Sequence, residues 1–291
     1  MTSAELKAAA RGFGADLVGI ASVDALRGLP PEENPLSIFP QAKVVIVLGR
    51  KVLRGALRGV EEGSEFSNAF PTFGFYGHED IFLSKTTYDV NLWIEARGHD
   101  GVPLFAYDSK SRAEGVPVAP GKPAPNVLVN YRVMAQAAGL GETGLHGLFL
   151  TPEFGVRQRF AMVLTDADIE PDKPFVPRIC NDCGACVAEC PLGALDASKT
   201  SAFGSPGCER AVASRDNALC LRCKNGAVQT NEGRFNAVER MAASCSRACI
   251  AALEERGATS EKFNGKFRPS APSWTVDRLG TRTDSKGGGA K

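Results

Sequence analysis

The stretch RICNDCGACVAECPLGAL, residues 178–195, places Cys180, Cys183, Cys186 and Cys190 at C-x2-C-x2-C-x3-C, with Pro191 directly after the last. Zinc sites usually draw two cysteines from each of two separated pairs, whereas three cysteines at i, i+3 and i+6 let one loop wrap three corners of an iron-sulfur cubane. In two-cluster ferredoxins the fourth cysteine of such a run ligates the other cluster. A second cluster is therefore implied, and the cysteines left to complete the two sites are Cys208, Cys220, Cys223, Cys245 and Cys249. The chain has nine cysteines, so two four-cysteine sites use all but one. A zinc module and a disulfide framework are the weaker alternatives, because the full run with its proline is specific.

Around this motif, 291 residues with 43% hydrophobic content suffice for one large domain or two ordinary ones. Every cysteine lies between positions 180 and 249, the distribution of a cofactor module rather than of extracellular stapling, which predicts a reducing compartment. The first twenty residues carry no basic region followed by an apolar run and no twin arginine, and no long apolar stretch follows, so a cytoplasmic location without a membrane span is expected. Basic and acidic side chains number 34 and 33, for a net charge of +1, and no general electrostatic footprint for nucleic acid is visible.

Residues 4–12 have amphipathic helical spacing through Leu6, Ala9 and Ala10. DLVGIAS (16–22) and AKVVIVLG (42–49) are β-branched and nearly continuous, as strands buried on both faces of a sheet should be. Helical spacing returns over residues 81–98 through Leu83, Tyr88, Leu92 and Ala96, with Gly98 as the stop. VPLFAYD is a strand ending at Asp108, and the prolines of 109–126 mark a surface loop. NYRVMAQAAGL is helical, GLFLTPEFG and RQRFAMVLTD are expected to pair as a hairpin, and the cysteine module opens near residue 175. Residues 266–291 are expected to be an irregular or disordered tail.

GLGETG, residues 139–144, matches G-x-G-x-x-G at Gly139, Gly141 and Gly144. It follows a helical run, not a strand, so the dinucleotide reading is weak. A helix stop with a turn, or close backbone approach to something bulky, fits the glycines better.

Taken in order, FGADLVGIAS, FPQAKVVIVLG, FAYDS, AAGLGETGLHGLFLTPEFG and CNDCGACVAECPLGAL resemble the iron-sulfur oxidoreductases that include epoxyqueuosine reductase and the reductive dehalogenases. The likeness covers roughly residues 4–255 and is most specific in the AGLG-x-x-G-x-H block, followed by the cysteine motif. It implies an α/β, nitroreductase-like, cobalamin-binding domain (1–174), then a ferredoxin-like module with two 4Fe-4S clusters (175–265). Asp108 matches the proposed proton donor of the epoxyqueuosine reductases; its alternative is a solvated aspartate opening an Asx turn. Tyr107 is a weaker catalytic candidate, since strand alternation points it to the other face. Gly139, Gly141, Gly144 and His146 fall in the block that meets the cofactor, although a lone histidine is more often structural.

The resemblance also implies that Cys180, Cys183 and Cys186 share a cluster with a distant cysteine, for which Cys249 is the choice, while Cys190 joins the other. The family's closing C-x2-C-x3-C-P is missing, which leaves open which three of Cys208, Cys220, Cys223 and Cys245 complete the second site. The expected function is a reductase that takes electrons from a low-potential donor such as ferredoxin or flavodoxin, passes them through two clusters to a corrinoid, and cleaves a C–O or C–halogen bond of a small molecule. Without a helical-repeat extension action on tRNA ranks lower, and without a twin-arginine signal so does the exported respiratory role. An electron carrier without corrinoid is the reading from a different class.

Overall fold

A computed structural model describes residues 1–105, 115–125, 127–229, 238–269, 274–276 and 282–284. Chain order begins α1 (Ser3–Gly12), β1 (Leu17–Ser22), β2 (Val44–Lys51), α2 (Arg58–Glu61), α3 (Ala69–Gly74), α4 (Ser84–Glu95), β3 (Gly101–Phe105), α5 (Tyr131–Ala137), β4 (Glu142–Thr143), β5 (Phe149–Leu150) and β6 (Gln158–Thr165). It continues with α6 (Ala185–Ala188), β7 (Leu195–Phe203), β8 (Arg210–Arg215), α7 (Asn217–Cys220), β9 (Val228–Gln229), β10 (Val238–Glu239), α8 (Ser244–Glu255), β11 (Trp274–Val276) and β12 (Arg282–Asp284).

The main sheet has the order β1-β2-β6-β3, with every neighbouring pair antiparallel. Its near-continuous apolar strands are explained by a helical layer on each side. Alternation sends Val18, Ile20, Ile46, Leu48 and Val163 to the face covered by Leu6 and Ala10 of α1 and by Val90 and Ile94 of α4. Leu17, Ala21, Val45, Val47, Met162 and Leu164 meet α5 through Val133, Met134 and Ala137 on the other. Truncating a central residue such as Ile46, which is fully buried, to Ala costs about 2–5 kcal/mol. α1 is started by a capping box: the Thr2 hydroxyl accepts from the Glu5 amide and the Glu5 carboxylate accepts from the Thr2 amide.

Three expectations are revised. RQRFAMVLTD does not pair with GLFLTPEFG; β6 lies between β2 and β3, while β5 closes a short hairpin with β4. Burying β6 on both faces at the centre of the sheet uses all of its apolar side chains, which a two-stranded ribbon would leave wet. On α4, Tyr88 and Leu92 are exposed, and the buried face carries Thr86, Thr87 and Asn91 beside Val90 and Ile94. Their donors are satisfied, Thr86 by the Phe13 and Phe82 carbonyls, Thr87 by the Leu83 carbonyl and the Asn91 amide by the Thr87 carbonyl, so the buried face looks polar in sequence. The segment expected to be an irregular tail carries the buried Phe267, Arg268 bound to Glu61, and the β11–β12 ribbon.

One core cluster joins Val52, Leu57, Val60, Phe70 and Phe75 to Phe175, Ile179, Met241, Ile250, Leu253 and Phe267. The cysteine-bearing segments are thereby packed directly onto the region after β2. Among the described residues, no helix is long and apolar enough to cross a membrane.

Candidate metal centres

α8 is the element around which the cysteines are gathered. It packs on α6, which carries Cys186, and itself carries Cys245 and Cys249. The loop entering α6 turns twice through left-handed backbone, at Asp182 (φ 56°) and Gly184 (φ 73°), which bends the 180–186 run into an arc.

Eight of the nine cysteines line two cavities. Cys180, Cys183, Cys186 and Cys249 surround one, together with Leu145, His146 and Leu253. Cys190, Cys220, Cys223 and Cys245 surround the other, with Leu195, Ala243 and Arg240. The expected grouping of Cys249 with the first three is therefore found in space, and the open choice narrows to Cys220, Cys223 and Cys245 around Cys190. Cys208 lines neither cavity; its carbonyl accepts from the Gln136 side chain at 2.7 Å.

The buried thiols act on one another within each quartet, and Cys245 also reaches Cys186 and Cys249 of the other. Burial, then the neighbouring Cys245, Cys180 and Cys183, push the Cys186 thiol up to about 12. Burial also raises the Cys249 thiol well above its ordinary value, with Cys186, Cys180, Cys183 and Cys245 adding to the rise. Cys245 is pushed up to about 11 by burial and by Cys190, Cys223 and Cys220, against an opposing effect of Arg240. Crowded, buried thiolates repel one another unless a cationic core joins them. Backbone amides already point at two of the sulfurs: Leu145 N–H donates to Cys180 Sγ at 3.5 Å, and Ala194 N–H to Cys190 Sγ at 3.2 Å.

Charged side chains fix the frame. Glu142, fully buried, accepts from the amides of Arg178, Ile179 and Cys180 and from Arg210 Nη1. Arg210 also bonds the Cys180 carbonyl and pairs with Asp182, so one arginine spans the start of the cysteine loop. Arg247 lies on α8 between the two cysteines and is buried against Glu61, which also receives Arg268. Glu142, Arg210, Arg240 and Arg247 were not singled out from the sequence. Glu142 was within reach, since it is one of the three unspecified positions inside the AGLG-x-x-G-x-H block.

The glycine block serves packing. Gly139 (φ 78°) ends α5 in a Schellman turn, its amide bonding the Gln136 carbonyl and the Leu140 amide the Ala135 carbonyl. A Cβ on Gly141 would stand 1.9 Å from the Leu150 carbonyl oxygen, and one on Gly144 would stand 2.9 Å from Leu150 Cδ1. The space beside these glycines is taken by the chain itself, so they form no open cradle for a cofactor. His146 lines the first cysteine cavity; burial, then Arg240 and Arg210, push its imidazole down to about 3, and its Nε2 has no hydrogen-bond partner among the described residues. Asp108 and Tyr107 lie outside the described residues.

Comparison with known proteins follows the same lines. A tetrachloroethene reductive dehalogenase of Desulfitobacterium hafniense is 45% identical over 69 residues, 23% of this chain and 12% of the dehalogenase. An epoxyqueuosine reductase of Gloeobacter violaceus is 25% identical over 255 residues, 76% of this chain and 73% of that protein. The chain is thus similar in sequence to both an epoxyqueuosine reductase and a reductive dehalogenase. A solved reductive dehalogenase superposes with a TM-score of 0.52 at 16% identity, covering 87% of this chain and 34% of that one, which shows a shared fold. No family model matches. The chain thus spans about an eighth of the curated dehalogenases it matches and about three quarters of the epoxyqueuosine reductase.

Proposed function

We propose that the chain is an iron-sulfur reductase in which Cys180, Cys183, Cys186 and Cys249 hold one 4Fe-4S cluster and Cys190, Cys220, Cys223 and Cys245 hold a second. The observation that carries this reading is the crossing of Cys190, last of its run, to the cavity opposite its three predecessors, which is the exchange two-cluster ferredoxins make. The donor set fits: four thiol sulfurs, an apolar wall and amide donors at each cavity. Zinc sites usually draw two cysteines from each of two separated pairs, whereas here one short loop brings three sulfurs to the first cavity. Bound clusters would supply one-electron transfer, while the chain orients them, excludes water and keeps amide donors on their ligands.

The kinship with dehalogenases extends the proposal to a corrinoid in the α/β part. Gly139, Gly141, Gly144 and His146 do not fit as its cradle, because they pack against the chain or face the cysteines. Asp108 stays the proposed proton donor on sequence resemblance. Asp108→Asn should slow turnover about 100-fold or more with iron content unchanged.

Two substrate classes are supported equally. Reductive cleavage of a small molecule follows the dehalogenase match. Epoxide reduction on tRNA follows the epoxyqueuosine reductase match, which covers more of this chain, so the lower rank given to tRNA from the sequence is not upheld. The deciding experiment is anaerobic purification with iron, sulfide and cobalt analysis, followed by tRNA binding at two salt concentrations. About eight irons per chain supports the cluster reading, and iron absent after reconstitution overturns it. Strongly salt-dependent tRNA binding favours the tRNA substrate.

A further inference from the structure

Arg240 is 4% exposed and lines the cavity of Cys190, Cys220, Cys223 and Cys245. Its Nη2 donates to the backbone carbonyl of His146 at 3.1 Å, while its Nη1 is buried with no hydrogen-bond partner among the described residues. Among the described residues no carboxylate pairs with it there. The nearest acidic neighbour in sequence, Glu239, is taken by Arg159 at 2.6 Å. A buried guanidinium without an anion is costly, so a site that retains one is built to receive negative charge. The thiolates around that cavity, and any cluster they hold, are that charge.

The two cavities differ in this respect. Arg210, nearest the Cys180 loop, is compensated by both Glu142 and Asp182, and Arg256, which lines the first cavity, is exposed and bonded to the Ile179 carbonyl. Arg240 alone among these three is buried and uncompensated.

We propose that Arg240 is a positioning residue that donates from Nη1 to a sulfur of the centre held by Cys190, Cys220, Cys223 and Cys245 and makes it the higher-potential of the two centres. The inference rests on the cluster reading above. Reduction adds one electron from an external low-potential donor and breaks no bond. The added negative charge is stabilised by an adjacent cation, and a hydrogen bond to a cluster sulfur acts in the same direction. The bond to the His146 carbonyl holds the guanidinium in place and ties it to a residue on the wall of the first cavity.

The test is a redox titration followed by electron paramagnetic resonance on the anaerobically purified full chain, with iron and sulfide counted in every sample. Arg240→Gln should lower one of two midpoint potentials and leave the other in place, and Arg240→Lys, which keeps the charge, should recover most of the shift. Full iron with both midpoints unmoved, or both moved equally, overturns the proposal and leaves the cluster reading intact. Absence of iron and sulfide from the wild-type chain overturns both. Should Arg240→Gln not fold, electron-nuclear resonance on wild-type protein with isotope-labelled arginine decides. A guanidinium nitrogen beside the higher-potential reduced centre supports the proposal, and none there overturns it.

Discussion

Cys245 and Cys249 stand one turn apart on α8 and line different cavities. One helix therefore supplies a cysteine to each quartet, and Arg247 between them, paired with the buried Glu61, fixes its rotation. Cys249→Ser and Cys245→Ser should each remove about half the iron, with different spectral species remaining, while Cys208→Ser should retain all of it. Iron and sulfide analysis of the three purified variants checks this, and a Cys208→Ser protein with reduced iron would show the sorting to be wrong.

Gly141 has no room for a side chain, because a Cβ would overlap the Leu150 carbonyl oxygen, a backbone atom of the paired β5 strand. Gly141→Ala must push the β4–β5 hairpin apart, at a cost of about 1–3 kcal/mol or more. Gly12→Ala, at the end of α1 with nothing within 4 Å of the new methyl, is the control and should be neutral or slightly stabilising. Thermal denaturation of the two variants side by side separates a packing role from general intolerance of substitution.

Much of this was legible because the pattern and the physics coincide. Nearly continuous apolar runs at 17–21 and 44–49 must be covered on both faces, and they are. The spacing of Cys180, Cys183, Cys186 and Cys190 encodes an arc and a crossing within one short segment. What sequence could not give is partnership over long separations: that Cys220 and Cys223 meet Cys190, or that Arg210 reaches back 68 residues to Glu142. The α4 face was misjudged because Thr87 and Asn91 are buried with donors that carbonyls of the preceding turn accept. The pairing of β6 escaped because sequence neighbours make the default hairpin, while the sheet's centre rewards a strand that is apolar on both sides.

Glu142 is a second test of how the first cavity is framed. Its carboxylate collects the amides of Ile179 at 3.0 Å and Cys180 at 2.8 Å, along with Arg210 Nη1 at 3.0 Å. Glu142→Gln keeps the shape, loses the charge and leaves Arg210 with only the exposed Asp182 as an ionic partner. Breaking a buried pair in this way costs about 3–5 kcal/mol. Iron release to a chelator, followed on the holoprotein, should be faster in the variant and should come first from the Cys180 centre. Release at the wild-type rate would mean the loop is held by its cysteines alone.

Glu79 makes stability depend on pH in a way that can be read apart from any metal. It shares Arg159 with Glu239, which holds the guanidinium more closely, at 2.6 Å against 3.5 Å. Burial raises the Glu79 carboxyl from 4.5 to about 7, with Arg159 opposing and Glu239 adding to the rise. The folded chain therefore binds a proton that the unfolded chain has released between those values, and stability must fall as pH rises across that window. The contribution is complete below the unfolded value and lost above the folded one. A third of the Glu79 side chain still meets water, which weakens the effect without changing its sign. Glu79→Gln should remove the slope, so the variant gains on wild type in denaturant midpoint between about pH 5 and about pH 8. Parallel curves for the two proteins across that range would show that Glu79 stays ionised in the fold.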